Sequence, residues 1–409
     1  MNLPSTTVSR GRPAAGFALA LTLLLASLGT SILNVALPAL VTAFSVPFAQ
    51  IQGVVVAYLL GLTGTVVIAG RLGDRFGMRR MLTAGLTLFG AASLLCGLAG
   101  DLPLLLFARL LQGSGAAFMM TLPMAMMREQ SGSDRLGRAM GLLGTVSALG
   151  TALGPSLGGV LLSSGGWRGI FWLLLPLTAL ALLLVRLALP VESGRSRPAA
   201  VGMRAGMHRK MIPTLGVNLL VSAVMMTTLI VGPFYLTGAL GMQDTETGLI
   251  MAVGPVVSIL SGIPAGRLVD ALGARRMMLA GLMLLATGSL LLAASGGSGG
   301  LAGYLFPLTL LTPGYQLWQA ANNSATLADA AGDRRGTLAG LLGLSRNLGM
   351  IAGASGMGAL FAFSVGATDF AAADPSSIAT GMRLTFLVAG LILLVAIGIT
   401  RAATRPPRL

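Results

Sequence analysis

The sequence predicts an all-α integral membrane protein with twelve transmembrane helices in two pseudo-symmetric six-helix bundles. Three observations predict this fold: a very apolar composition, a succession of apolar runs long enough to cross a membrane, and a charged phrase that occurs twice. Apolar residues make up 55% of the 409 residues and charged residues only 10%. A soluble domain carries about 25% charged residues, so a soluble core does not explain this chain.

The apolar runs place the twelve helices. A bilayer core of about 30 Å needs roughly 20 apolar residues per helix. The predicted spans are 15–40, 50–70, 81–100, 102–127, 139–163, 168–190, 213–238, 246–266, 277–296, 301–326, 336–363 and 383–402. They divide into an N-terminal half, residues 1–190, and a C-terminal half, residues 213–409, joined by a basic cytoplasmic linker at 191–212.

The basic residues predict the orientation. The net charge is +15, and with both termini on one side, 23 of the 27 basic residues fall on that side. The positive-inside rule makes that side the cytoplasm, so we expect a multi-pass inner-membrane protein with both termini cytoplasmic. Because topology accounts for the charge, the expected partners are the lipid bilayer and a small-molecule solute. Nucleic acid is not expected, and we expect a monomer.

The residues of catalysis and metal binding are sparse. Cys96 and His208 are the only cysteine and the only histidine, which excludes an intramolecular disulfide and argues against a metal centre. The sequence shows no Ser/His/Asp set and no nucleotide-binding loop, so an enzyme or a sensor embedded in the membrane is not favoured. We expect no cofactor, and a proton gradient is the expected source of energy.

Two repeats indicate that one six-helix unit was duplicated. The first is the charged phrase, which occupies residues 70–80 and recurs 196 residues later at 266–276. The second is a glycine series in spans 5 and 11, where Gly150, Gly154 and Gly159 match Gly349, Gly353 and Gly358 at an offset of 199. Internal repeats in a membrane chain are typical of secondary transporters.

The phrase resembles the signature of the major facilitator superfamily, and within it the drug:proton antiporter branches. This resemblance implies a conformational gate in which Asp74 helps to hold the cytoplasmic side closed. For Arg79 and Arg80, a role in topology alone is an equal alternative. The gate residues are Gly70, Asp74, Arg75, Gly77, Arg79 and Arg80 in the first copy and Gly266, Asp270, Gly273, Arg275 and Arg276 in the second.

Two further motifs carry the resemblance. Arg109, inside the fourth span and followed by Gln112, is similar to the superfamily's helix 4 motif, which implies a role in proton coupling. The alternative is an arginine that reaches the outer interface. The glycine-rich fifth span resembles the antiporter signature, which implies export, and its residues are Gly144, Gly150, Gly154, Pro155, Gly158 and Gly159.

The first span resembles the helix 1 motif of a larger drug-exporter branch, with Gly29 at the position of that motif's acidic residue. None of the twelve acidic residues is predicted at mid-membrane, although a titrating carboxylate is what proton coupling usually requires. Either Asp101 is drawn towards Arg109 as a coupling partner, or the cavity is net positive and favours anionic or neutral solutes.

Polar residues within the spans are candidates for the solute cavity, because such side chains tend to face the bundle interior. Hydrogen bonding between helices is the alternative for each amide. The candidates are Asn34, Gln112, Asn218, Gln316, Trp318, Gln319, Asn322, Asn323, Arg346 and Asn347. Taken together, the sequence predicts an exporter of small organic molecules that works by alternating access and proton antiport. The alternative is a facilitator or importer of a neutral or anionic metabolite.

Overall fold

The computed structural model describes residues 12–130, 133–189, 211–295, 299–328, 335–366 and 373–403, and almost all of them are helical. The predicted linker at 191–212 lies almost wholly outside this part of the chain. The α-helices are α1 Arg12–Ser31, α2 Leu37–Phe44, α3 Phe48–Phe76, α4 Met78–Leu98, α5 Leu102–Gln130, α6 Ser133–Ala188, α7 Ile212–Phe234, α8 Asp244–Leu272, α9 Ala274–Ser295, α10 Gly300–Ala328, α11 Arg335–Ala352, α12 Gly358–Val365 and α13 Pro375–Ala403.

Within these ranges, ten helical stretches are long and apolar enough to cross a membrane. The prediction of twelve differs at two places. The predicted spans 139–163 and 168–190 form the single helix α6, broken only at Gly166, whose φ of 64° turns the chain without a separate loop. Helix α10 is outside the ten, and its second half carries four amide side chains between Gln316 and Asn323. The count of twelve remains a prediction.

Three helices depart from the regular α geometry. A 3₁₀ turn at Asn34–Ala36 separates α1 from α2. Two π-helical turns, Tyr235–Ala239 after α7 and Gly353–Met357 between α11 and α12, widen the corresponding helices of the C-terminal half. Such turns leave backbone groups outside the regular ladder, and they occur often at functional sites.

Glycines allow the helices within each half to touch backbone to backbone. A Cβ added at Gly115 of α5 would lie 2.7 Å from the Phe89 nitrogen and 2.8 Å from the Gly85 oxygen. In the other half, a Cβ at Gly314 of α10 would lie 2.9 Å from the Leu285 nitrogen and 3.0 Å from the Gly281 oxygen. The contacting residues of the two halves correspond in residue number: Gly85 and Phe89 match Gly281 and Leu285 at an offset of 196, and Gly115 matches Gly314 at an offset of 199. The two halves therefore share one packing plan.

The two copies of the charged phrase form tight turns between α3 and α4 and between α8 and α9. Gly77 has φ 94° and Gly273 has φ 87°, a region that residues with a Cβ rarely adopt. The turns differ in their surroundings: Asp74 is half-buried whereas Asp270 is exposed. We call the end of the bundle that holds these turns the phrase end, and the opposite end the distal end.

Candidate functional site

Arg109 of α5 is the centre of a buried polar network in the N-terminal half. Its side chain is 1% exposed. Its Nε donates to the Val54 oxygen at 3.2 Å, and its two terminal nitrogens each donate to the Gly29 oxygen at 3.4 Å. The guanidinium carbon also lies 4.3 Å from the centre of the Tyr58 ring, a favourable cation–π arrangement. Arg109 therefore joins α5 to α1 and α3.

The break after α1 supplies what this buried charge requires. The last carbonyls of an α-helix lack partners within the helix, and together they carry about half a negative charge. Gly29 lies in the last turn of α1, which ends at Ser31, so its oxygen is one of these terminal carbonyls. The negative end of a broken helix thus faces Arg109 at the position where the helix 1 motif would place an acidic side chain.

The absence of a side chain at Gly29 keeps this arrangement compact. A Cβ at that position would lie 3.0 Å from the Tyr58 Oη and 3.2 Å from the ring of Phe89. The Tyr58 hydroxyl donates to the Ala26 oxygen at 2.9 Å, one turn before Gly29. A carboxylate side chain at residue 29 would require Tyr58 or Phe89 to move.

Gln112 and Ser93 complete the network. Arg109 donates to the Gln112 Oε1 at 2.6 Å, and the Gln112 Nε2 donates to the Ser93 Oγ at 2.8 Å on α4. Gln112 and Ser93 are fully buried. Among the described residues, every side-chain and main-chain partner of Arg109 is neutral. These partners belong to α1, α3 and α5.

Asp101 serves a local purpose in this conformation. Its carboxylate accepts a hydrogen bond from the Leu104 backbone nitrogen at 2.8 Å, at the start of α5. An acidic side chain at a helix N-terminus is stabilised by the helix dipole. The described contacts of Arg109 do not include Asp101, so a coupling role for Asp101 remains a prediction.

The predicted antiporter-motif glycines face two different neighbours. Gly150 of α6 packs against the backbone of α1 at Leu24, and Gly154 and Gly158 pack against the backbone of Ile32, between α1 and the 3₁₀ turn. Gly159 instead approaches the other half: its added Cβ would lie 2.5 Å from the Asp244 oxygen and 2.9 Å from the Gly248 Cα on α8. Pro155 lies at the same contact, since its oxygen would be 2.6 Å from a Cβ at Gly248. The side-chain surroundings of Gly144 lie outside the described residues.

Contacts between the halves gather at the distal end, and we call this group of contacts the seam. Besides Gly159 and Gly248, it includes three phenylalanines. Phe48 lies edge-on to Phe234, with ring centres 4.6 Å apart, and 5.9 Å from Phe361. The Thr245 hydroxyl also donates to the Ser163 Oγ at 3.0 Å. The seam holds the two halves together at the end opposite the charged phrase.

The predicted cavity residues of the C-terminal half divide by their contacts. Asn218 donates to the Leu342 oxygen at 2.8 Å, and Gln316 donates to Ser258, so both tie helices together. Trp318 is fully buried with its Nε1 unpaired, and its ring lies 6.2 Å from Tyr315. The Arg346 Nε is also buried without a partner among the described residues. Asn322 and Asn347 are buried, Gln319 is half-buried and Asn323 is exposed.

At the phrase end, the arginines have unlike surroundings. Arg79 donates to the Arg186 oxygen at 2.6 Å, near the end of α6, where a positive charge complements the helix dipole. Arg75 lies 5.1 Å from the ring of Phe76. Arg80, Arg275 and Arg276 are exposed. The roles of these residues as a gate remain predictions.

The sequence matches the family model of the Major Facilitator Superfamily over residues 19–354 and 214–408. The chain belongs to this superfamily. Its fold and family are those of membrane transporters, as the resemblance of the charged phrase predicts.

Relatives along most of the chain are transporters. The chain is 29% identical to the uncharacterized transporter YebQ of Escherichia coli, over 81% of this chain and 85% of that protein. It is 26% identical to the riboflavin transporter RibZ of Clostridioides difficile, over 83% of this chain and 86% of that protein. A shorter segment is 38% identical to the multidrug resistance protein Stp of Mycobacterium tuberculosis, over 37% of this chain and 29% of Stp.

Solved structures share the fold. A bacterial homologue of the human lysosomal transporter Spinster, in an inward-facing and occupied conformation, superimposes with a TM-score of 0.82 at 17% identity, over 97% of each chain. The nucleoside transporter NupG superimposes with a TM-score of 0.77 at 12% identity. At such identities the likeness concerns the fold alone.

Several residues of the network and the seam escaped the sequence analysis. Tyr58 and Ser93 belong to no motif, and Gln52 is one of two glutamines, with Gln50, near the start of the predicted second span. A tyrosine and a serine in apolar helices are ordinary, because each can bond to a neighbouring carbonyl. The unusual cost of an arginine within a span and the helix 1 motif at Gly29 pointed to this region of the protein.

Proposed function

We propose that this protein exports small organic molecules by alternating access between two six-helix halves, twelve spans in all. The observation that carries the proposal is the position of Gly159, which belongs to the glycine series that resembles the antiporter signature and also forms the seam with Gly248. A helix that packs on α1 through one set of glycines and on α8 through the next can transmit movement between the halves. The multidrug relative supports export.

The seam and the charge distribution together support a conformation that is closed on the side opposite the cytoplasm. The contacts of the seam close the distal end, and the basic residues place the phrase end in the cytoplasm by the positive-inside rule. A solute would therefore enter from the cytoplasmic side in the present conformation. Release would require the seam to open.

Proton antiport is the coupling that the resemblance favours. The neutral partners of Arg109 support a mechanism in which this arginine keeps its charge throughout the cycle while a carboxylate elsewhere carries the proton. Asp101 and Asp74 are the candidates. If Asp101→Asn exports a cationic dye at the wild-type rate, Asp101 has no part in coupling.

A second function, transport of a neutral planar metabolite such as riboflavin, is favoured by the similarity to RibZ along most of both chains. One experiment compares the two. Proteoliposomes with an imposed pH gradient are tested with ethidium, fluorescein and riboflavin, which are cationic, anionic and neutral. Gradient-driven movement of several of them supports a multidrug antiporter. Movement of riboflavin alone, independent of the pH gradient, supports the second function.

The seam offers a matched pair of variants for the same assay. Gly248→Val places side-chain atoms against Gly159 and keeps the distal end from closing, so we expect transport to fall by about tenfold or more, which corresponds to about 1.4 kcal/mol. At Gly262, on the same helix, an added Cβ meets no atom within 4 Å, so Gly262→Val should transport normally. Equal activity of the two variants would contradict a role for the seam.

A further inference from the structure

The seam buries polar groups that have no hydrogen-bond partner among the residues that the structure describes. Asn34 in the 3₁₀ turn is 0% exposed, and the described residues offer no hydrogen bond to its Nδ2 or its Oδ1. Gln52 of α3 is 4% exposed and Thr247 of α8 is 0% exposed, and within the described part of the chain the Gln52 Nε2 and the Thr247 Oγ1 have no partner. Buried polar side chains are nearly always bonded, so three such groups at one interface require an explanation.

These groups come from both halves and lie at their contact. Gln52 follows Phe48 by one helical turn, and its amide touches the backbone of Gly358 in the other half. Thr247 precedes Gly248, which contacts Gly159. The 3₁₀ turn that carries Asn34 packs against α6, α7 and α8. Opening of the seam would therefore expose all three groups at once.

We propose that Asn34, Gln52 and Thr247 form a solute-binding site in the conformation whose distal end is open. This inference rests on the proposed alternating access. Two carboxamides and a hydroxyl can both donate and accept hydrogen bonds, and none of them carries a charge. The adjacent rings of Phe48, Phe234 and Phe361 offer flat apolar surfaces.

The chemistry of the site defines its ligand. A neutral, planar solute with a polar edge, such as an imide or an amide on an aromatic ring, would bond to the carboxamides and stack on a phenylalanine. The acids nearest in the sequence to Thr247 lie in the first turn of α8, where the Glu246 carboxylate accepts from the Gln243 backbone nitrogen at 3.1 Å. Closing of the seam would remove the solute's partners and return the amides to their unbonded state.

Accessibility of a single cysteine tests this site. The one native cysteine, Cys96, is buried, so Cys96→Ser gives a background without thiols. In that background Gln52→Cys is labelled with a membrane-impermeant maleimide, added separately to each side of sealed vesicles. We expect labelling from the side of the distal end only, and protection of about fivefold or more by 1,8-naphthalimide, a neutral planar imide, at a concentration well above its Kd. Ethidium, a planar cation, should not protect.

Gln50→Cys is the matched control, because Gln50 lies on the same helix and is exposed. It should be labelled from the side of the distal end whether or not either compound is present, and protected by neither compound. Two results would overturn the proposed site and leave alternating access intact. One is labelling of Gln52→Cys that is the same with and without naphthalimide, and the other is protection by ethidium alone. If Gln52→Cys is labelled from neither side, both the site and alternating access are overturned. If Gln52→Cys does not fold, Asn34→Cys provides the same measurement.

Discussion

The Arg109 network and the matching region of the C-terminal half differ in chemistry although their helices pack alike. The offsets that relate the glycine contacts place Leu308 at the position of Arg109, Leu311 at that of Gln112 and Ser289 at that of Ser93. Leu308 and Leu311 are buried, as is Ser289, whose Oγ has no partner in the described part of the chain. The serine persists in the second half, whereas the glutamine that would bond to it has become leucine.

This difference shows that one packing plan can be stabilised in two ways. In the N-terminal half, hydrogen bonds from Arg109 and from its partner Gln112 fix α1, α3, α4 and α5 relative to one another. In the C-terminal half, apolar contacts occupy the same place. Hydrogen bonds between helices lie elsewhere, such as the bond from Asn218 to the Leu342 oxygen. We therefore expect the N-terminal half to move as a rigid unit.

Of the changes that test this difference between the halves, replacing Arg109 should have the largest effect on the free energy of unfolding. Arg109→Met removes the donor to three residues and leaves the Gln112 Oε1 buried without a partner. We expect the free energy of unfolding to fall by at least about 3 kcal/mol, because bonds to a charged group contribute about 1.5 to 3 kcal/mol each. SDS titration of the purified protein measures the loss. The matched Leu308→Met conserves volume and should cost less than about 1.5 kcal/mol. Equal losses would show that the Arg109 network contributes no more stability than the apolar contacts of Leu308.

Adding a methyl group beside the network should have an intermediate effect. Gly29→Ala brings a Cβ to 3.0 Å from the Tyr58 hydroxyl, and overpacking of this kind costs about 1 to 3 kcal/mol. Gly16→Ala in the same helix meets only Met127, at 4.0 Å, and should be neutral or stabilising by up to about 1 kcal/mol. Thermal unfolding in detergent distinguishes the two variants. A Gly29→Ala protein as stable as the wild type would mean that Tyr58 moves aside at little cost in free energy.

The two equivalent serines should give the smallest effects, with opposite signs. Ser93→Ala removes the acceptor of the Gln112 amide and should destabilise the protein by about 1 kcal/mol. Ser289→Ala removes a buried hydroxyl that has no partner, so we expect no loss of stability or a gain of up to about 1 kcal/mol. Both free energies are measured by the same SDS titration. Destabilisation by Ser289→Ala equal to that by Ser93→Ala would indicate a hidden partner for Ser289.

The apolar runs predicted most of the helices, because membrane-spanning length is a property of the sequence itself. The boundary at Gly166 was placed correctly, but a turn without a loop could not be inferred from composition. Arg109 was identified as unusual by the cost of burying its charge. Its partners could not be identified, because two of them are backbone carbonyls, which every residue possesses. The location of the Gly29 oxygen depends on where α1 breaks, and that depends on packing.

The interpretation of individual polar residues was less successful for the same reason. Asn218 and Gln316 were candidates for the solute cavity, with helix-to-helix hydrogen bonding as the alternative, and the structure shows such bonds for both. Gln52 was not considered, although it is more deeply buried than most of the candidates. Which face of α3 meets the other half is decided by how the two halves of the chain are arranged, and it cannot be inferred from the sequence of α3 alone.

The contact between Gly159 and Gly248 has a consequence for the entropy of closing. Ordering a long side chain at an interface costs up to about 2 kcal/mol of rotamer freedom, whereas glycine has none to lose. Where the halves meet through glycine backbones, closing the distal end restricts few rotamers. The temperature dependence of that equilibrium should then report mainly the hydration of the groups that closure buries.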